Sequence, residues 1–237
     1  MVKAIIWDYD GTLVDTRRKN LAVTKEIMGE VMENSPDEYE VLQSLDQYQA
    51  ANENSENWRE LYKSYFQLSD SQIDEAGAMW KKYQINNDTE VSLFKDIRPV
   101  LKEFSSYNHG IVSQNAFENI ISYLKSQQLE SHFSKIIGYE EIGYDQQKPD
   151  PTGLLACIKY LTNSESGSVV YIGDHETDIQ CAYLANQRLK ENGSNLQVFS
   201  IVALYGLAVI TENWEYEPDF EAHDPSDIAL IVNKLAT

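Results

Sequence analysis

A chain of 237 residues, 42% of them apolar, can bury a sizeable core, either as one large domain or as a core carrying an insert. Its formal net charge of -19 argues against a nucleic-acid partner, which needs a basic face, but leaves room for a small phosphorylated ligand met by a few local cations or a metal ion. No apolar run reaches the length of a membrane span, the first is too short for a signal peptide, and two cysteines, Cys157 and Cys181, suggest no disulfide framework; a cytoplasmic setting without membrane contact is expected.

The apolar run Ala4 to Trp7 has strand length and ends abruptly at Asp8, with Asp10 two residues on. In an extended chain these two carboxylates point the same way. Like charges that close repel, so one is protonated or a cation sits between them. Gly11 permits a sharp departure from the strand, which would leave both acids at the carboxyl edge of a sheet, where α/β proteins bind ligands. A polar Asp-Gly turn is the bland alternative. Thr16 then caps an expected helix with Leu21, Val23, Ile27, Met28 and Val31 at roughly helical spacing, broken by Ser35-Pro36-Asp37. From about Asp37 to Asn87 the apolar and aromatic positions (Leu42, Tyr48, Trp58, Tyr62, Phe66, Ile73, Trp80) predict amphipathic helices whose aromatic rows serve packing. Arg17, Arg18 and Lys19 form a cationic cluster that reads first as solvated helix charge, with a substrate-facing role open.

The core resumes at Leu93, with a helix opening around Pro99 and a short strand, His109–Ser113, ending in a hydroxyl. Gln114 and Asn115 lead into a helix near Ala116. A hydroxyl and open amides at that junction suit an oxyanion, and a plain cap by Ser113 or Asn115 is the alternative. A strand over Lys135–Tyr139 is followed by a loop in which Pro149 biases Lys148 toward an extended conformation, and Pro151 suits a helix start. Val169–Ile172 is the next buried strand, ending at Gly173 and Asp174, with Asp178 in the first turn of the following helix. Asp178 is favoured there by the helix dipole whatever its chemistry. The strand Val198–Ala203 and a last helix capped by Ser226 complete the pattern; His223 reads as structural.

Strands alternating with helices imply a parallel sheet with right-handed crossovers, so the polar strand ends converge on one edge. Three or more carboxylates there, without a His or Cys cluster, suit a hard cation such as Mg²⁺.

The ordered set Asp8-Tyr9-Asp10-Gly11-Thr12, Ser113, Lys148-Pro149 and Gly173-Asp174 with Asp178 resembles the haloacid dehalogenase superfamily, and the helical insert after the first motif resembles its phosphoglycolate phosphatase-like branch. The resemblance implies a Rossmann-like α/β core over residues 1–15 and 92–237 and an α-helical, substrate-selecting cap over 16–91. It implies a Mg²⁺-dependent phosphatase acting on a small phosphorylated metabolite. Asp8 would be the nucleophile that forms an aspartyl-phosphate, and Asp10 would protonate the leaving oxygen and later deprotonate water. Gly11, Thr12, Ser113, Gln114 and Lys148 would hold the phosphoryl group, Lys148 also orienting Asp8. Asp8, the carbonyl of Asp10 and Asp174 would bind Mg²⁺, with Asp178 assisting. Gln114 departs from an Asn frequent in the family, and His175 and Glu176 vary positions beside the metal acid. Asp10 itself argues against halide removal, which has no leaving oxygen to protonate. A phosphomutase of the β-phosphoglucomutase type and a non-catalytic binding module are the alternatives.

Overall fold

Strand β1 (Val2–Trp7), fully buried from Ala4 onward, runs through the middle of a six-stranded sheet. On one side it pairs with β4 (Asn108–Val112), beyond which lies β5 (Phe133–Ile137). On the other side come β6 (Ser166–Gly173), β7 (Asn195–Ala203) and the short edge strand β8 (Phe220–Ala222). Every pairing in this sheet is parallel, and the two-residue strands β2 (Val14–Asp15) and β3 (Ser92–Leu93) lie outside it. Counted in chain order, these strands stand third, second, first, fourth, fifth, sixth across the sheet. The direction of growth therefore reverses between β1 and β6, and in open α/β sheets the crevice beyond the strand ends at such a reversal is the binding position. The structure, a computed structural model, describes residues 1–32, 35–55, 57–164, 166–206 and 214–236.

Contacts divide the chain into two compact units, Met1–Asp15 with Leu93–Thr237, and Thr16–Ser92. In the first, period-two alternation sends Ala4 and Ile6 to one face. There they meet Val112, Ile137, Val169, Tyr171 and Val198 under two helices, α7 (Thr152–Leu161) and α8 (Glu176–Glu191). Cys157 and Cys181 lie inside that layer as free, buried thiols. Each fully buried aliphatic side chain there contributes about 1.5–3 kcal/mol relative to exposure. Helices α5 (Ile97–Glu103) and α9 (Pro225–Ala236) pack on each other, and α9 also meets β1 and β8.

The second unit is helical: α1 (Arg17–Val31), α2 (Leu45–Glu53), α3 (Trp58–Phe66) and α4 (Asp70–Asn86). Val23, Ile27, Leu42, Tyr62, Phe66 and Ile73 form its core, against which Trp58 and Trp80 pack. The aromatic rows thus serve packing, as the sequence suggests. Trp80 Nε1–H donates to the Tyr62 hydroxyl at 2.9 Å, and Tyr48 and Thr24 share a hydrogen bond of 2.7 Å, so the buried polar tips are satisfied. Two caps explain the breaks between these helices. Asn57 accepts from the Arg59 and Glu60 amides, and Ser69 with Gln72 forms a capping box.

Several local expectations need correction. Thr16 occupies the position before α1 but makes no side-chain cap bond. Its hydroxyl accepts from the Asn20 side chain. The last helix begins one residue before Ser226, and Asp224 accepts the Ser226 amide at 2.9 Å; a carboxylate two residues ahead outcompetes the hydroxyl. The Lys148–Pro149 peptide is cis, which the extended-residue expectation did not include. Among the described residues no helix is long and apolar enough to cross a membrane.

Candidate active site

Three adjacent strands, β4, β1 and β6, each deliver a polar residue to the same edge. Asp8 follows β1, and its N–H donates to the Ile172 carbonyl at 2.7 Å, so backbone pairing with β6 extends one residue past the strand. Ser113 follows β4 and is held the same way, its N–H donating to Ile137 at 3.0 Å. Asp174 follows Gly173, the last residue of β6. Main-chain hydrogen bonds thus set where these side chains leave the sheet, and the chain after each is free to turn.

The turn after Asp8 lies against Asp174. Gly11 has φ +79°, and a Cβ placed on it would lie 1.9 Å from Asp174 Oδ2, so neither the conformation nor the space admits a side chain. Thr12 Oγ1 donates to Asp174 Oδ1 at 3.5 Å, while the Tyr205 hydroxyl donates to the Thr12 carbonyl at 2.7 Å. Asp10 meets Asn115, whose Nδ2 lies 3.1 and 3.0 Å from its two carboxylate oxygens.

Lys148, 8% exposed, crosses from the loop before α7 into this site. Its Nζ donates to Asp8 Oδ1 at 2.5 Å and to Asp178 Oδ1 at 2.7 Å. Asp178 Oδ1 accepts from the Tyr171 hydroxyl at 2.8 Å, and Oδ2 from the His175 N–H at 3.2 Å. The same residue completes the α8 capping box, in which the His175 ring accepts from the Thr177 amide. Its structural and electrostatic duties coincide. Gly173 allows this approach: a Cβ there would lie 2.3 Å from Asp178 Cγ.

Asp8, Asp174 and Asp178 each place one carboxylate oxygen within 4.8 Å of the others. The Asp8 carboxyl is driven up to about 7, chiefly by burial, which outweighs the lowering by Lys148 and is reinforced by Asp178 and Asp10. Asp174 is raised well above the usual carboxylate range, by burial first and then by Asp8 and Asp178. Burial pulls the Lys148 ammonium down, but Asp178 and Asp8 more than reverse this and raise it above the usual lysine range. One cation among three acids leaves the cluster short of positive charge. All its donors are hard oxygens, so the residues present fit a hard divalent cation, with Asp8, Asp174 and Asp178 as its carboxylate donors.

A family model described as haloacid dehalogenase-like hydrolase matches residues 5–189, most of the chain. The chain belongs to that family. Along its length, this haloacid dehalogenase-like hydrolase is similar to pyrophosphatase PpaX of Listeria monocytogenes serotype 4a, at 23% identity over 98% of the chain and 96% of the relative. It is likewise similar to pyrophosphatase PpaX of Oceanobacillus iheyensis, at 24% identity over 98% and 97%. Among solved structures, a haloacid dehalogenase-like family hydrolase from Streptococcus pneumoniae shares the fold with a TM-score of 0.72 at 20% identity, covering 98% of both chains. A candidate phosphoglycolate phosphatase from Lactobacillus plantarum does so with a TM-score of 0.74, 20% identity, and 98% and 100% coverage.

The structure brings together Asp8, Lys148, Asp174 and Asp178, and sets Gly11 and Thr12 beside Asp174. Ser113 Oγ accepts from the Asn115 amide at 3.0 Å, and the Gln114 side-chain amide donates to the Lys148 carbonyl at 3.1 Å. Gln114 thereby ties the end of β4 to the loop that carries the lysine. Asn115 does more than cap: Oδ1 takes the Ala116 amide while Nδ2 faces Asp10. Sequence reading missed Tyr171 and Tyr205. For Tyr171 a signal existed, a lone hydroxyl in the otherwise aliphatic run Val169–Ile172. Nothing local marks Tyr205.

Proposed function

We propose that this hydrolase is a Mg²⁺-dependent phosphatase that cleaves a small phosphate monoester, or the anhydride that its pyrophosphatase relatives suggest, through a phosphoryl group carried on Asp8. The observation that carries the reading is the Asp8–Lys148–Asp178 arrangement with Asp174 alongside. A carboxylate that attacks a phosphate must meet a second anion, and here a charged lysine already sits 2.5 Å from it. Mg²⁺, held by Asp8, Asp174 and Asp178, would supply the remaining positive charge that lets carboxylate and phosphate approach.

Asp8 Oδ attacks phosphorus as the bond from phosphorus to the leaving oxygen breaks, and Asp10 gives that oxygen its proton. Water then attacks the phosphorus of the aspartyl-phosphate while Asp10, now ionised, takes a proton from it; inorganic phosphate leaves and Asp8 is restored. Proton transfer of this kind is worth about 10²- to 10⁴-fold. Lys148 keeps Asp8 oriented and balances charge on the transferred group, and Ser113, Thr12 and Gln114 line the phosphoryl position. The helical unit, residues 16–92, is read as the cap that selects the leaving group. Free Cys157 and Cys181 agree with a cytoplasmic enzyme.

The test is phosphate release over a panel of sugar phosphates, 2-phosphoglycolate, other phosphomonoesters and pyrophosphate, with Mg²⁺ or with EDTA. Release that needs Mg²⁺ and vanishes in Asp8→Asn is the expected result. No release from any member, or undiminished release from Asp8→Asn, overturns the proposal; an isomerised sugar phosphate without free phosphate would mark a mutase.

A further inference from the structure

Asn115 is anchored on every polar group it has. Its N–H donates to Ser113 Oγ at 3.0 Å and its carbonyl accepts from the Tyr139 N–H at 3.1 Å. Its side-chain oxygen accepts from the Ala116 N–H at 2.8 Å and from Asn119 Nδ2 at 3.0 Å. A backbone N–H can only donate, so the amide oxygen must face Ala116 and the NH₂ group must face Asp10. That NH₂ lies 3.1 and 3.0 Å from the two Asp10 oxygens. The two residues are 105 positions apart, and Asn119, one helical turn further along α6 (Phe117–Ser126), stiffens the arrangement.

We propose that Asn115 is a positioning residue that aims the acid–base carboxyl of Asp10 at the leaving-group oxygen. The inference rests on the reading of Asp10 as proton donor and acceptor. The chemistry follows from what Asn115 offers. Its NH₂ donates and cannot accept, so when Asp10 carries a proton that proton has no partner in Asn115 and is directed elsewhere. When Asp10 is ionised, the same NH₂ holds the carboxylate in place for the attack of water. An acceptor at this position would do the reverse and draw the Asp10 proton to itself. The step gains or loses no atom at Asn115; only the direction of the Asp10 proton depends on it.

The experiment compares kcat/KM for glycerol 2-phosphate, whose alkoxide leaves poorly without a proton, and p-nitrophenyl phosphate, whose phenolate needs little help. The wild-type enzyme, Asn115→Ala and Asn115→Asp are measured with Mg²⁺, and again with Asp10→Asn as background. Asn115→Asp keeps an oxygen for Ala116 and Asn119, so it guards against a failure of folding in Asn115→Ala. The expected result is a loss of about 10²-fold or more on glycerol 2-phosphate with a much smaller loss on the nitrophenyl ester. In the Asp10→Asn background, Asn115→Ala should cost little further, because residues that act as one unit are not additive. Equal losses on both esters, no loss on either, or full additivity with Asp10→Asn overturns the inference and leaves the phosphatase reading standing. A wild-type enzyme that hydrolyses neither ester nor any member of the substrate panel removes the phosphatase reading, and this inference with it.

Discussion

The Lys148 ammonium rests 2.5 Å from the Asp8 carboxylate, although 140 positions separate the two residues. Neither would be comfortable alone at this depth. Burial raises the Asp8 carboxyl to about 7 even with the lysine beside it, and its two acidic neighbours more than offset the burial that disfavours the charged lysine. The pair is thus an electrostatic unit that expects a further anion and a further cation.

Lys148→Met keeps the length of the side chain and removes its charge. Removing one partner from a buried ion pair costs about 3–5 kcal/mol, because the other charge is stranded. A lower melting temperature is expected, together with a loss of about 10²- to 10³-fold in phosphate release, comparable to deleting one preorganised donor from an oxyanion site. Thermal scans and the phosphate assay check both. A variant with full activity would show that Asp8 needs no such partner.

Metal dependence should vary with pH in a defined direction. The folded pKa of Asp8, about 7, lies above its ordinary 3.8, and Asp174 is also raised. In metal-free protein Asp8 therefore favours the folded state most fully below about pH 4, a contribution lost as pH rises through about 7, and Asp174 acts in the same direction. Cation binding requires the deprotonated carboxylates, so the rise in melting temperature on replacing EDTA by Mg²⁺ should be small near about pH 5.5 and larger near about pH 8. A Mg²⁺ shift independent of pH, or none at all, would contradict this.

Gly11→Ala should damage activity more than stability. The added methyl meets Asp174 Oδ2 at 1.9 Å, and the φ of +79° disfavours any Cβ. The conformational part costs about 1–2 kcal/mol, whereas moving Asp174 disturbs the acid cluster directly. Denaturant titration alongside kcat/KM separates the two effects, and a variant that retains wild-type kcat/KM would show that the turn can shift without disturbing Asp174.

A second pH effect lies away from the site, at His109. Trp7 Nε1–H donates to its Nδ1 at 3.0 Å, and its Nε2 lies 2.9 Å from the Phe104 carbonyl, so both ring nitrogens are used by the neutral ring. Burial is the main cause that lowers its pKa below 6.5, and protonation of Nδ1 would break the Trp7 bond. Because the folded pKa is depressed, the contribution to stability is complete above about 6.5 and declines as pH falls through the folded value. His109→Gln should lower stability at neutral pH and flatten this acid limb in urea titrations taken at several pH values. An unchanged acid limb would place the titration elsewhere.

Much of the site could be read from the chain because Asp8, Ser113 and Asp174 each follow directly on an apolar strand. Asp8 after Ile5-Ile6-Trp7 and Asp174 after Tyr171-Ile172-Gly173 stand where a buried run stops, and such a stop is visible locally. Lys148 was visible only in company with them. The edge strand β8 was not legible, since Phe220-Glu221-Ala222 is too short to show alternation and pairs on one side only. Caps were misassigned at Thr16 and Ser226 because a hydroxyl before a helix signals a capability, and nearby groups decide whether it is used. The contacts of Asn115 with Asp10 and of Tyr205 with Thr12 span 105 and 193 positions, so no local spacing encodes them.

The most direct measurement is a rapid acid quench of the enzyme during turnover of a ³²P-labelled phosphomonoester from the panel, followed by peptide mapping. Label on the peptide that carries Asp8, absent from Asp8→Asn, is the predicted result. Continued phosphate release with no label on that peptide, or with label on another residue, would contradict it.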